Sequence, residues 1–232
     1  MRTTLKNHLP FLICLGIYFI ALGALLRIFE KGQIEIWINR QHNIVADFFF
    51  KYWTFVGDGI FVTIVIVLLL FYRYYYAFFC LFAILIKTAI VQYLKLNLYH
   101  YEPRPKMFLK DIDLYFVEGV EIFGYNSFPS GHTSQAFCMV TVLALIAARE
   151  GFKNQNLIQI GLFLVALLVG LSRVYLLQHF VKDIFAGAGI GCAVAYLVYI
   201  FFESQMRIRD SIFLQGSLIK RRAKPIDGSS DI

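Results

Sequence analysis

The chain has 232 residues, 59% of them hydrophobic and 16% charged, with a mean hydropathy of +0.66 and a formal net charge of +7. A soluble domain averages nearer half apolar and a quarter charged, so this composition excludes an ordinary soluble globule and describes a membrane protein. The positive charge does not call for nucleic acid, because basic segments beside a membrane meet anionic lipid.

About 20 apolar residues cross a bilayer, and runs of that order lie near 9–28, 54–72, 75–95, 132–148, 156–172 and 182–202. The first follows Arg2 and Lys6 and carries small residues at Ala21-Leu22-Gly23, as a cleaved signal does. Its apolar stretch is longer than a usual signal core, which favours a retained anchor. Between the first two runs, Gln33 to Trp53 mixes Ile34, Ile36, Trp37 and Ile38 with Arg40, Asp47 and Lys51, a pattern suited to lying along the interface. No Pro/Gly/Ser-rich linker or internal repeat divides the runs. The predicted fold is all-α: a polytopic bundle of six transmembrane helices forming one membrane-embedded domain over 1–232, with a short basic tail over about 204–232.

With six crossings both termini share a side, which carries Arg2, Lys6, Arg73, Arg149, Lys153, Arg207, Arg209 and the cluster Lys220, Arg221, Arg222 and Lys224. The positive-inside rule makes that side cytoplasmic. The opposite side holds Lys95, Arg104, Lys106, Lys110, Arg173 and Lys182, so the bias is clear only if some of these serve another purpose. Cys14, Cys80, Cys138 and Cys192 all fall inside predicted spans without CxxC or Cys/His spacing, and are expected as inert buried thiols.

Three polar clusters interrupt the apolar pattern: KLNLYHYEPRP (Lys95 to Pro105), FPSGH (Phe128 to His132) and SRVYLLQHFVKD (Ser172 to Asp183). The first leaves the third span, the second enters the fourth, and the third links the fifth to the sixth. All three therefore emerge on one face, opposite the basic tail. Lys95, Arg104 and Arg173 supply positive charge, and guanidinium groups grip phosphate oxygens through paired hydrogen bonds. Ser130 and Gly131 precede a helix, where free backbone N–H groups favour an anion. His179 and Asp183 are four apart at a helix start, so the carboxylate can hold one ring nitrogen and leave the other with a free lone pair. That nitrogen can attack phosphorus, and His132 can supply and later remove a proton.

These residues resemble the type-2 phosphatidic acid phosphatase superfamily of integral-membrane lipid phosphatases, whose three-part signature is KxxxxxxRP, PSGH and SRxxxxxHxxxD. The second part stands as Pro129-Ser130-Gly131-His132, and the third as Ser172-Arg173, His179 and Asp183. The first departs from the pattern: eight residues separate Lys95 from Arg104-Pro105, and the family spacing falls on Asn97. The resemblance covers about residues 54–202. It implies a six-helix bundle, no metal or other cofactor, and a phosphohistidine intermediate. Carried onto matching positions, His179 is the nucleophile, Asp183 its orienter and His132 the general acid/base, while Lys95, Arg104, Ser130, Gly131 and Arg173 bind the phosphoryl group.

The expected activity is hydrolysis of a lipid phosphate or diphosphate in a bacterial-type inner membrane, with the site facing the periplasm or exterior. Undecaprenyl diphosphate leads the substrates, ahead of phosphatidic acid, phosphatidylglycerol phosphate and lipid A 1-phosphate. The partners are then the lipid and the bilayer, with no nucleic acid. Two other readings stay open: a lipid or ion transporter using Lys87 and Asp58, and an inactive lipid-binding homologue. Lys87, about two turns inside its span from Lys95, is expected to find an interior partner. His8, His42 and His100 are expected in loops, and the segment 110–127 as a surface loop or a lid that selects head groups.

Overall fold

The structure, a computed structural model, describes residues 6–205, 208 and 211–219. Arg2, Arg207, Arg209 and the cluster Lys220, Arg221, Arg222 and Lys224 lie outside the described residues. In chain order the helices are α1 (Leu9–Ile28), α2 (Gln33–Asn39), α3 (Ile44–Trp53), α4 (Gly59–Tyr72), α5 (Tyr74–Tyr93), α6 (Pro105–Phe108), α7 (Gly131–Glu150), α8 (Gln155–Tyr175) and α9 (Val181–Ser204). Among the described residues there is no strand.

Helices α1, α5 with the π-helical turn Leu94–Leu98, α7, α8 and α9 are each long and apolar enough to cross a membrane. The sixth crossing is broken: Ile44–Gly57 and Gly59–Tyr72 meet at 54°. This corrects the sequence reading, which began the second span at 54 and laid Gln33 to Trp53 along the interface. The cause is local. Asp58 is extended (φ −87°, ψ 158°), and its Oδ1 accepts the Gly59 N–H at 2.5 Å, so it caps a new helix rather than continuing the old one.

Helix α7 is the centre of the bundle, with most of its length buried against α5, α8 and α9. Its contact with α9 depends on small residues. A Cβ on Gly191 would stand 2.4 Å from the Ser134 carbonyl oxygen, and one on Gly187 2.7 Å from that of Ser130. Two glycines one turn apart thus allow the backbones to touch, as packing between helices in lipid favours. The consequence for function is positional, because α7 and α9 begin side by side at the end that carries the polar clusters.

His8 stands in the turn before α1 and is fully buried there, with Nδ1 3.0 Å from Gln159 Oε1 and Nε2 2.8 Å from the Tyr196 hydroxyl. The start of α1 at Leu9 carries the imidazole inward between α8 and α9, where a buried polar ring needs partners. At the same end, Glu150 accepts from the Tyr72 hydroxyl at 2.9 Å, from Arg73 at 3.1 Å and from Tyr76. Glu203 accepts from the Tyr75 hydroxyl at 2.8 Å and from Arg149. These ties close the end of the bundle away from the site.

Candidate functional site

The three polar clusters converge at the end where α5 finishes and α7 and α9 begin. Ser130 caps α7: its Oγ accepts the Thr133 N–H at 3.3 Å, and its own N–H donates to the Asp183 carbonyl at 3.0 Å. The next residue, Gly131, has open space where a side chain would stand, and first-turn amides have no intrahelical acceptor. That combination leaves an N-terminal pole free to face an anion.

His179 reaches the site through a tight return of the chain after α8. The Arg173 carbonyl accepts from both the Gln178 N–H (2.9 Å) and the His179 N–H (3.1 Å), and Leu177 between them takes the left-handed region at φ 52°. A branched side chain there costs about 1 kcal/mol, accepted in a turn that folds His179 back over Arg173. Asp183 Oδ2 accepts from Ser127 Oγ at 2.5 Å and from the Phe180 N–H at 3.0 Å, and lies 3.4 Å from His179 Nδ1. The last distance is long for a hydrogen bond. Burial, then Arg104, Arg173 and Lys95, hold the His179 imidazole well below its usual range. At neutral pH the ring is therefore the free base, with a lone pair available.

The cations surround it. Arg173 is 7% exposed, and among the described residues no carboxylate forms an ion pair with it; its Nη1 donates to Thr54 Oγ1 at 2.6 Å and its buried Nε has no partner. Arg104 is 8% exposed and is held from three sides: Nε to the Tyr125 carbonyl at 2.9 Å, and Nη1 to the Gln178 carbonyl at 3.1 Å and to Gln178 Oε1 at 2.9 Å. Lys95 Nζ donates to the Asn126 carbonyl at 2.8 Å and lies within Coulombic range of Arg104, Arg173 and Asp183. It stands on the π-helical turn Leu94–Leu98, which takes in one more residue per turn than an α-helix and so absorbs part of the extra spacing before Arg104. Asn97, where the family spacing falls, is exposed and donates back to the Tyr93 carbonyl at 3.1 Å.

His132 lies within Coulombic range of Arg173, His179, Arg104 and Lys95. The broken span presses against it: a Cβ on Gly57 would meet the His132 carbonyl oxygen at 2.9 Å. All eight residues singled out from the sequence are thus brought together at one place. Leaving cations buried without counter-charge costs several kcal/mol each; Asp183 lies within Coulombic range of Lys95 and Arg104, and Asp58 within that of Arg173. The arrangement can receive a doubly charged anion, place a nucleophilic nitrogen behind it and a second imidazole beside it.

Four supporting residues escaped the sequence reading. Ser127 fixes the Asp183 carboxylate, Gln178 fixes Arg104, Thr54 fixes Arg173, and Glu35 accepts the first N–H of α9, at Val181, at 2.8 Å. Gln178 and Glu35 did carry a signal, as polar residues inside apolar stretches; Ser127 and Thr54 carried none that separates them from ordinary loop and helix-end residues. The segment 110–127 is tied down rather than free. Tyr115 exchanges two hydrogen bonds with the Asn39 side chain (2.7 and 3.0 Å), its hydroxyl donates to Asp47 at 2.8 Å, and His42 stacks on its ring at 3.7 Å. Lys51 donates to the Glu118 carbonyl at 2.7 Å, and Gln178 Nε2 to that of Glu121 at 2.8 Å.

The chain is 38% identical over 86 residues to phosphatidylglycerophosphatase B of Bacillus subtilis, a match covering 36% of this chain and 42% of that protein. The matched stretches span less than half the length of such curated relatives. The solved structure of Aquifex aeolicus LpxE superposes with a TM-score of 0.63 at 29% identity, covering 75% of this chain and 98% of that one. A Bacillus subtilis transmembrane PAP2 type phosphatidylglycerolphosphate phosphatase shares the fold, with a TM-score of 0.56 at 24% identity over 90% of this chain and all of the other. The model of the PAP2 superfamily matches residues 76–207, more than half of the chain, and the protein belongs to that family.

Proposed function

We propose that this protein is a lipid phosphate phosphatase, one membrane-embedded domain that works through a phosphohistidine. The observation that carries the reading is the buried Arg173, which forms no ion pair among the described residues and has an unpartnered Nε, set beside Arg104, Lys95 and a free-base His179. His179, oriented by Asp183, attacks phosphorus through its free ring nitrogen; the P–O bond breaks, and protonated His132 gives its proton to the departing oxygen. His132 then takes a proton from water, the hydroxide attacks phosphorus, the P–N bond breaks and inorganic phosphate leaves. Lys95, Arg104 and Arg173, with the Gly131 amide at the helix start that Ser130 caps, hold the three equatorial oxygens, where charge develops during transfer.

The site's place at the end of the spans favours an amphiphilic substrate, whose phosphate enters the polar cluster while its chains stay among the helices. A polyprenyl diphosphate such as undecaprenyl diphosphate is the leading candidate; phosphatidic acid, phosphatidylglycerol phosphate and lipid A 1-phosphate compete with it. The charge pattern favours cytoplasmic termini and a site facing the periplasm or exterior of an inner membrane. At the site end, Lys95, Arg104 and Arg173 belong to the anion cluster, and Lys31 and Lys182 pair with Glu102, so few basic residues there remain as topology signals.

The donor set consists of cations and amides that suit phosphate oxygens directly, so turnover is expected to be metal-independent. In detergent micelles containing EDTA, the wild type should release phosphate from at least one member of a panel of undecaprenyl diphosphate, phosphatidic acid and phosphatidylglycerol phosphate. Activity restored only by a divalent cation, or none from folded protein on any lipid, would overturn the reading.

A further inference from the structure

His132 faces two ways. One side looks toward His179 and the arginines; the other forms a wall of a cavity of about 270 Å³ between the hinge of the broken span, α5 and α7. Its polar lining is Asp58, Lys87, Thr88, Gln92, His132 and Gln135, an unusual set between membrane-spanning helices. Lys87 is 3% exposed, its hydrogen-bond partner is the Gln135 side-chain carbonyl, and among the described residues no carboxylate forms an ion pair with it. Asp58, the acid on the same wall, is engaged elsewhere, capping the Gly59 N–H at 2.5 Å and lying within Coulombic range of Arg173. A buried ammonium held by a neutral amide is a receptor for negative charge.

The chemistry says which charge. In-line displacement puts the leaving oxygen on the side of phosphorus opposite the nucleophile. If His179 attacks and His132 protonates, the leaving group continues past His132 into this cavity. Gln135 is one turn beyond His132 on α7, so Lys87 sits next to the atoms that follow the leaving oxygen. We propose that the cavity is an anionic leaving-group subsite, in which Lys87, positioned by Gln135, binds the inner phosphate of a lipid diphosphate. This rests on the phosphatase reading above. The terminal phosphoryl group passes to His179, the bridging P–O bond breaks, the bridging oxygen takes the His132 proton, and a lipid monophosphate stays bound to Lys87. A simple phosphomonoester places an uncharged carbon there and gains nothing from the ammonium.

Farnesyl diphosphate and farnesyl monophosphate differ by a single phosphate and isolate the effect. The wild type should favour the diphosphate in kcat/KM, and Lys87→Met and Lys87→Gln should each lower the diphosphate-to-monophosphate ratio by at least about ten-fold, the size of one charge-assisted contact. Lys87→Arg should largely keep the ratio. Wild-type protein alone gives a second test: a non-hydrolysable farnesyl diphosphonate should inhibit at least about ten-fold more tightly than farnesyl phosphonate. An unchanged ratio in folded variants, or equal inhibition by the two phosphonates, overturns the subsite while leaving the phosphatase reading intact. A wild type inactive on lipid phosphates of every kind overturns both.

Discussion

Replacing His179 with alanine is expected to lower kcat by more than about 10⁴-fold, the scale seen when an enzyme loses its nucleophile. Arg104, Arg173, Lys95 and the α7 amides remain, so KM should change far less than kcat. That split separates loss of the attacking atom from general damage to the site. The surroundings suggest the variant will fold, because its backbone bond to the Arg173 carbonyl and the Phe180-to-Asp183 cap do not involve the imidazole. The pH profile adds an independent signature. Burial and the arginines hold the His179 ring well below its ordinary value of about 6.5. The free base therefore persists as pH falls through 6.5, and the acid limb of wild-type kcat/KM due to this group should appear below that point. A kcat for His179→Ala within ten-fold of wild type would remove His179 from the chemistry.

The second large effect is structural. Gly191→Ala puts a methyl group 2.4 Å from the Ser134 carbonyl oxygen and 2.9 Å from the Cys138 nitrogen, and both are backbone atoms that cannot rotate aside. Helix α9 must then move away from α7 along the seam that brings His132 and His179 together. Overpacking of this kind costs typically 1–3 kcal/mol, and the rigid backbone on both sides places the expected loss near the upper end, about 3 kcal/mol. Activity should fall with it, because the two histidines ride on the separated helix starts. Gly161→Ala on α8 is the control, since nothing lies within 4 Å of a Cβ there. Thermal unfolding in detergent should separate the two variants; equal melting temperatures would mean that the close seam is not what holds the pair together.

Much of this architecture was legible from run length alone, because a bilayer demands about 20 apolar residues per helix. Five of the six predicted spans agree with helices to within a few residues. The broken span did not follow the rule, because its bend rests on a local cap at Asp58 and on the tertiary close contact of Gly57 with His132. The burial of His8 was hidden for a related reason: a polar residue before a helix is ordinarily solvated, and Gln159 and Tyr196, far along the chain, make burial tolerable. The candidate site was more visible than the bundle around it, since histidines, arginines and a lysine stand out against apolar helices. Of its supports, only Gln178 and Glu35 left a signal, as polar residues inside apolar stretches. Ser127, Gln178, Thr54 and Glu35 matter through the residue each one holds, and Gly187 and Gly191 matter through a backbone that a sequence does not show beside them.

The central claim is a covalent bond between phosphorus and His179. Rapid acid-free quenching of the wild type during turnover of a lipid substrate labelled in its terminal phosphate, followed by peptide mapping, tests it most directly. The account predicts a phosphoryl group on His179 that survives alkali and is lost in acid, and no labelled protein from His179→Ala. Label on another residue, or turnover that never labels the wild type while water oxygen enters phosphate with inversion at phosphorus, would contradict it.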